Sequence, residues 1–112
     1  MAFTPYHNIV GSTAQDNELV AIDDIKRDKI KSIQITNLDG ALPVTVDLYL
    51  FKDSTDTSKS ETYYFFKGRA ISGADYWILD NEDLLNFDNT TTGYSLHIHV
   101  GSSDSVDVMI RI

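Results

Sequence analysis

Residues 94–112, YSLHIHVGSSDSVDVMIRI, alternate apolar and polar side chains on both sides of the short polar segment GSSDS. Alternation with a period of two is typical of β-strands that have one buried face and one solvated face. If GSSDS closes a hairpin, Val100 pairs with Val106 and Ile98 pairs with Val108. Every inward pair in this register is apolar, so the stretch predicts two antiparallel strands that contribute to one core.

The same register places His97 and His99 on the outward face of the hairpin, with Asp107 opposite His99. Two histidines two residues apart on one strand share a face and could bind a metal ion. A catalytic zinc site needs a third protein ligand, and Asp107 is the carboxylate that the hairpin brings near. A metal-dependent hydrolase using these three residues is one hypothesis. The favoured interpretation is a solvated or partner-facing sheet surface with one cross-strand His–Asp pair.

Four further stretches have the composition or the alternation of strands. Residues 31–36 and 44–50 alternate strictly, and residues 17–22 and 75–80 are shorter apolar runs bounded by polar segments. No stretch carries an apolar stripe with helical spacing over ten or more residues. The pattern therefore predicts an all-β fold, a single antiparallel β-sandwich of about seven to eight strands, jelly-roll-like or immunoglobulin-like.

Domain organisation follows from the same pattern. Residues 17–112 are predicted to form one β-sandwich domain, and residues 1–16, which show no strand pattern, are predicted to be an extended N-terminal arm. Asp39 and Gly40 favour a tight turn between two of the strands. Residues 80–89, DNEDLLNFDN, are predicted to be a loop with one helical turn.

Composition and charge narrow the classes of function. The 112 residues include no cysteine, which excludes disulfides, thiolate catalysis and zinc–thiolate sites. Nine basic and seventeen acidic residues give a net charge of −8, which argues against nucleic acid and anionic membranes as partners. The sequence has no nucleophile elbow and no glycine-rich phosphate loop. Its first residues lack the basic and apolar regions of a signal peptide, so none is expected. We therefore expect no enzyme activity, no catalytic residues, no cofactor and no metal.

One strand candidate stands apart from the rest. Residues 62–68, TYYFFKG, carry apolar side chains at both odd-numbered and even-numbered positions. Since these positions point to opposite faces of a regular strand, both faces would be apolar. A small sandwich cannot bury two such faces by itself, and the second face is expected to meet another protein. The predicted interface consists of Tyr63, Tyr64, Phe65 and Phe66, and the predicted assembly is a homo-oligomer, a dimer or a trimer.

Two long stretches carry a resemblance to a known class of proteins. Residues 29–54, KIKSIQITNLDGALPVTVDLYLFKDS, resemble a strand of the type V-K-S-I-Q-I-x-N followed by a polar turn and a V-T-V-x-L-Y-L strand. Residues 62–112 are similar to the second half of that pattern, which closes on L-x-V-x-x-S-S-x-x-V-D-V-x-I. The pattern belongs to small β-sandwich structural proteins of tailed bacteriophage virions, and the likeness covers about residues 17–112. ISGAD (71–75) departs from it, since I-P-A-G is usual at that turn.

The resemblance implies a virion structural protein with no catalytic task. The leading expectation is a capsid decoration or cement protein on the outer surface, which binds the major capsid protein or other virion proteins. The virion would be assembled in the host cytoplasm. The alternatives are a tail, neck or fibre component, including a receptor-binding or carbohydrate-binding module in which Trp77 and the tyrosines stack on sugar rings.

Overall fold

The computed structural model describes residues 5–10, 15–25, 30–52, 61–101 and 104–112. The strands are β1 (Tyr6–Val10), β2 (Gln15–Val20), β3 (Ser32–Asn37), β4 (Val44–Lys52), β5 (Glu61–Ile71), β6 (Tyr76–Leu79), β7 (Ser95–Val100) and β8 (Ser105–Arg111), with one helical turn, α1 (Glu82–Leu85), between β6 and β7. They form two four-stranded antiparallel sheets packed face to face. The predicted single antiparallel β-sandwich is confirmed.

Strand order defines the architecture more closely. Sheet A has the order β1-β8-β3-β6, and sheet B has the order β2-β7-β4-β5. Successive strands therefore pass from one sheet to the other, except for β4 and β5, which pair as neighbours in sheet B. This order is that of an eight-stranded jelly roll, which is built from two Greek keys. Of the two predicted sandwich types, the order matches the jelly roll.

The predicted hairpin in residues 94–112 is wrong in its pairing and right in its faces. β7 pairs with β2 and β4, whereas β8 pairs with β1 and β3, so the two strands lie in opposite sheets. Their inward side chains, Leu96, Ile98, Val100, Val106, Val108 and Ile110, are each at most 2% exposed. The alternation cannot distinguish two strands side by side from two strands face to face, because both arrangements bury the same side chains.

The connection between β3 and β4 also crosses the sandwich and is not a hairpin turn. Asp39 supports it by accepting hydrogen bonds from the backbone amides of Ala41 (2.9 Å) and Leu42 (3.0 Å). These bonds hold the pKa of the Asp39 carboxyl below its usual value. Asn37, 3% exposed, places its Nδ2 within 3.1 Å of the carbonyl oxygens of Leu42, Ile71 and Ser72, which ties the connection to the end of β5.

Part of the predicted N-terminal arm belongs to the sandwich. Residues 6–10 form β1, an edge strand that pairs with β8 along its whole length, and Ile9 is only 5% exposed in the core. The prediction of an arm over residues 1–16 is corrected for the residues that are described, since β2 also starts at Gln15. A short edge strand with one buried side chain gives almost no periodic signal, which explains the error. Residues 1–4 and 11–14 lie outside the described residues.

Two other predictions for the middle of the chain, a strand within residues 75–80 and one helical turn within residues 80–89, are confirmed. The DYWILD stretch contains β6, and α1 supplies one helical turn within residues 80–89. Asn81 caps this turn by accepting hydrogen bonds from the amides of Asp83 (3.0 Å) and Leu84 (3.4 Å). Within the described ranges, no helix has the length and apolar character needed to cross a membrane.

Candidate functional site

Two transverse rows of side chains cross the outer face of sheet B, which we call the ionic face. The first, the aromatic row, contains Glu18, His97, Tyr49 and Tyr64, one residue from each of β2, β7, β4 and β5. Each residue lies directly opposite the next in the strand register. The rings of Tyr49 and His97 stack with centroids 5.5 Å apart, and the rings of Tyr49 and Tyr64 are 5.4 Å apart. Such cross-strand contacts fix the rings relative to one another.

The second row, the acidic row, contains Asp16, His99 and Asp47 from β2, β7 and β4. His99 Nδ1 lies 2.9 Å from Asp16 Oδ1, and the Tyr49 hydroxyl donates to the same oxygen at 2.8 Å. Because a carboxylate only accepts, Nδ1 of His99 carries the hydrogen. Asp47 Oδ1 accepts the backbone amide of Gly68 at 2.6 Å. Both carboxylates are therefore held in fixed orientations.

A shallow groove of about 360 Å³ runs over the centre of the ionic face. It is lined by Asp16, Asp47, Tyr49, Phe51, Thr62, Tyr64 and His99. Its volume lies near the lower limit of pockets that hold small molecules, so it suits a single side chain or one small group. Aromatic carbon and carboxylate oxygen together line it, which is the chemistry that receives a cation.

The protonation of the ionic face follows from its contacts. Burial raises the pKa of Asp16, but the hydrogen bonds from Tyr49 and His99 outweigh this effect and leave the pKa below its usual value. Burial, reinforced by the neighbouring Asp16 carboxylate, raises the pKa of Tyr49 above its ordinary range. Asp16 is therefore ionised and Tyr49 neutral over the physiological range.

His97 is the most buried ionisable group of the aromatic row, with 17% of its side chain exposed. Burial lowers its pKa, although Glu18, 3.8 Å from Nε2, favours the charged form. Ser95 Oγ lies 2.7 Å from His97 Nε2 and donates to the carbonyl oxygen of Phe51 at 3.1 Å. Because the single hydroxyl hydrogen of Ser95 is directed at Phe51, Nε2 is the donor toward Ser95.

The predicted outward orientation of His97 and His99 is confirmed, but the predicted partner is wrong. Asp107 lies on β8 in sheet A, where it accepts a hydrogen bond from the Asn8 side chain at 2.6 Å. The carboxylate that meets His99 is Asp16, on a strand that the sequence pattern did not pair with β7. Across the part of the chain that the structure describes, no three histidine, aspartate or glutamate side chains are grouped to hold a metal ion.

β5 explains why the aromatic run looked apolar on both faces. Tyr63 lies opposite Leu50 and Phe66 lies opposite Leu48, so both face the core side although they are three positions apart. The register slips between these pairs, and a slip of one residue reverses the alternation. Tyr63 and Tyr64 are 53% and 46% exposed, whereas Phe65 and Phe66 are half-buried against the core. Sequence alternation alone cannot reveal such a bulge.

A second irregularity follows at Gly68, whose φ of 69° lies in the left-handed region that favours glycine. Beyond it, the Arg69 guanidinium lies 4.3 Å from the ring centroid of Trp77, and Phe66 meets the same ring edge-on at 4.7 Å. Trp77 thus closes the side of the sandwich between β5 and β6, and the structure gives it a packing role. Bulges and charged residues on an edge strand hinder pairing with a strand of another chain.

The outer face of sheet A, which we call the neutral face, has a different composition. Its transverse rows are Tyr6, Met109, Gln34 and Ile78, and then Asn8, Asp107, Thr36 and Tyr76. Three of its large apolar side chains are strongly exposed, Tyr6 by 69%, Tyr76 by 55% and Ile78 by 39%. A groove of about 350 Å³ beside Tyr6 and Met109 lies on this face. This face leaves no local signal in the sequence, because its residues are scattered over four strands.

Two comparisons with known proteins complete the description. No protein-family model matches the chain, and no curated protein matches it either. No residue role is therefore carried over from a relative.

Proposed function

We propose that this chain is a structural protein of a phage virion, a capsid decoration or cement protein that binds the major capsid protein on the outer surface. The observation that carries the proposal is the neutral face, which exposes Tyr6, Ile78 and Tyr76 on one side of the sandwich. A set of large exposed side chains on one face favours permanent contact with another protein.

The fold supports this proposal by analogy. Eight-stranded jelly rolls are common in viral capsid proteins and in lectins. One fold hosts many functions, so the jelly roll alone does not indicate a virion protein. It supports the proposal in combination with the neutral face and with the resemblance of residues 29–54 and 62–112 to phage structural proteins.

The charge supports the outer surface as the location. A net charge of −8 repels packaged DNA and keeps an exposed subunit soluble. Tail, neck and fibre positions share this solvent-facing environment and are the second candidate location. In each of these the subunit would be incorporated in the host cytoplasm, during assembly.

The proposed assembly includes copies of the chain itself, as a dimer or trimer. Tyr63 and Tyr64 remain candidates for this contact because both are about half exposed. Phe65 and Phe66 already pack against the core, so their contribution to an interface would be smaller. We expect contact through side chains, because the bulges of β5 hinder strand addition at that edge.

The test is attachment to capsid shells. The purified chain is mixed with shells assembled from the major capsid protein of the same phage, and binding is measured by co-sedimentation and located by electron cryomicroscopy. We expect Tyr76→Thr with Ile78→Thr to abolish attachment, because these changes remove apolar contact and keep strand propensity. Leu84→Thr, which removes an apolar side chain of intermediate exposure (50%, against 55% for Tyr76 and 39% for Ile78) from α1, is the control and should attach normally.

Two results would contradict the proposal. Shells that take up none of the wild-type chain, together with a particle reconstruction that lacks its density, would exclude a virion role. Density at the tail, neck or fibre would select the second location.

Sedimentation velocity at micromolar concentration decides the oligomeric state, and Tyr63→Thr should convert an oligomer to a monomer if β5 forms the contact.

A further inference from the structure

We propose that the groove on the ionic face is a docking site for a lysine or arginine side chain from a basic segment of a partner protein. The inference deepens the proposed function, because it names the chemistry of a partner that a virion subunit would meet.

Charge complementarity is the first argument. Asp16 and Asp47 line the groove, and Glu18 lies at the end of the aromatic row. Of the two histidines on this face, His97 is held neutral by its burial at physiological pH. These carboxylates are among the seventeen acidic residues of a chain whose net charge is −8. The overall charge attracts a cationic partner at long range, and the carboxylates of the face bind it at short range.

The orientation of the carboxylates is the second argument. Asp16 uses Oδ1 to accept from both Tyr49 and His99, and Asp47 uses Oδ1 to accept from Gly68. In the described parts of the chain, Oδ2 of Asp16 and Oδ2 of Asp47 accept no hydrogen bond, so each keeps acceptor capacity for an ammonium or guanidinium group. Because Oδ1 is anchored in both cases, binding a cation requires little reordering of side chains.

An internal cation supplies the third argument. Lys67 Nζ lies 4.9 Å from the centroid of the Tyr64 ring, which is one wall of the groove. The distance is within the range at which an ammonium group is attracted to an aromatic face. The chain thus already places one lysine ammonium against the groove wall, which shows that this ring attracts a cation. A partner's cation would bind the two carboxylates and compete with Lys67 for the ring.

A sugar ring fits the groove less well. Stacking on a sugar needs an uncovered aromatic face, but Tyr49 is stacked on His97 and flanked by Tyr64, and Tyr64 carries Lys67. The two carboxylates, by contrast, accept hydrogen bonds from a lysine or arginine side chain, which supplies all the donors itself. A basic protein segment is therefore the occupant that the observations favour.

The first experiment compares two variants of equal net charge. A peptide of seven lysines is titrated into the full chain by isothermal titration calorimetry at low ionic strength, with a peptide of seven serines as the blank. Asp47→Asn removes a charge from the groove and keeps the acceptor for Gly68. Asp80→Asn removes a charge from an exposed position between β6 and α1. We expect Asp47→Asn to weaken binding about five-fold and Asp80→Asn to leave it unchanged.

The second experiment removes the internal competitor. Lys67→Met should free the Tyr64 face and tighten binding of the same peptide by about two- to five-fold. Lys31→Met changes the net charge equally, but Lys31 precedes β3 of sheet A, whereas the groove lies on sheet B. The Nζ of Lys31 lies 3.0 Å from Oε1 of Glu82. Lys31→Met should tighten binding less than Lys67→Met does.

Clear outcomes overturn the inference. If the wild-type chain does not bind the lysine peptide, or if Asp47→Asn and Asp80→Asn weaken it equally, the attraction is non-specific and no site exists. Saccharide binding on a glycan array that is lost in Tyr49→Ala, without peptide binding, would assign the groove to sugars instead. The peptide assay needs no virion. Peptide binding by a chain that does not attach to shells would therefore refute the proposed function alone, and attachment without peptide binding would refute this inference alone.

Discussion

The ionic face and the neutral face cover the same core, yet they differ in nearly every outward side chain. The aromatic and acidic rows of the ionic face bring together carboxylates, imidazoles and tyrosines, with hydrogen bonds that link β2, β7 and β4. The neutral face presents Tyr6, Ile78 and Tyr76 to solvent, and its one central carboxylate, Asp107, is bound by Asn8. One face is suited to a charged partner and the other to apolar contact.

The difference shows where the information about function lies in a small sandwich. Inward positions on both sheets must be apolar, so they carry the same requirement whatever the protein does. Outward positions need not be apolar, so their side chains can vary with function. Residues that lie opposite one another on neighbouring strands together form the surface that a partner meets. Here those opposed residues come from opposite ends of the chain, as Asp16 and His99 do.

The largest expected effect tests whether the two sheets share one core. Ile110→Asp in sheet A and Ile98→Asp in sheet B should each prevent folding, because a buried carboxylate without a partner costs several kcal/mol against a total stability of about 5–15 kcal/mol. Both positions are at most 2% exposed. Circular dichroism and urea titration measure the outcome. A sheet that tolerated its aspartate would show that the two halves of the core are not equivalent.

A smaller effect compares one carboxylate from each face. Asp16→Ala removes the acceptor of two hydrogen bonds that hold the edge strand β2, and Asp107→Ala removes the acceptor of one. Both sites are at least partly exposed, so we expect losses of about 1 kcal/mol and about 0.5 kcal/mol respectively. Equilibrium unfolding in urea gives both values. Equal losses would mean that the second hydrogen bond to Asp16 adds nothing to the free energy of unfolding.

The pH dependence should also distinguish the faces. The pKa of His97 is lowered in the folded chain by burial, so the unfolded state binds more protons once the pH falls below about 6.5, the ordinary value. Stability contributed by neutral His97 is therefore present above that pH and is lost as the pH falls toward the lowered pKa. We expect the free energy of unfolding to fall more between pH 7.5 and 5.5 in the wild type than in His97→Gln. Equal falls in the wild type and in His97→Gln would show that a group other than His97 causes the loss of stability.

The smallest expected effect concerns metal ions. Because no three ligand side chains converge in the described residues, a chelator should leave the melting temperature of the purified chain unchanged. Differential scanning calorimetry with and without EDTA measures this. A lower melting temperature that zinc or calcium restores would show that a metal contributes to the fold, with His97 and His99 as the first ligands to substitute.

Several features could be predicted from sequence because they depend on local alternation. The β-sandwich, the buried positions of residues 94–112 and the outward histidines followed from which residues are apolar, and a helical turn was predicted within the turn-rich residues 80–89. The groove could not be predicted, since Asp16, Asp47 and Tyr64 come together only through strand order. The two-sided appearance of residues 62–68 came from a bulge, which no alternation rule anticipates.

The sequence by itself determined which side of each regular strand is buried, because the side chains carry that information one residue at a time. Only the tertiary structure decided which strands are neighbours. Backbone hydrogen bonds are nearly the same for any pair of strands, so the choice of partner depends on the packing of all eight at once. That choice placed β7 and β8 in opposite sheets, and it gave His99 the carboxylate of Asp16 rather than that of Asp107.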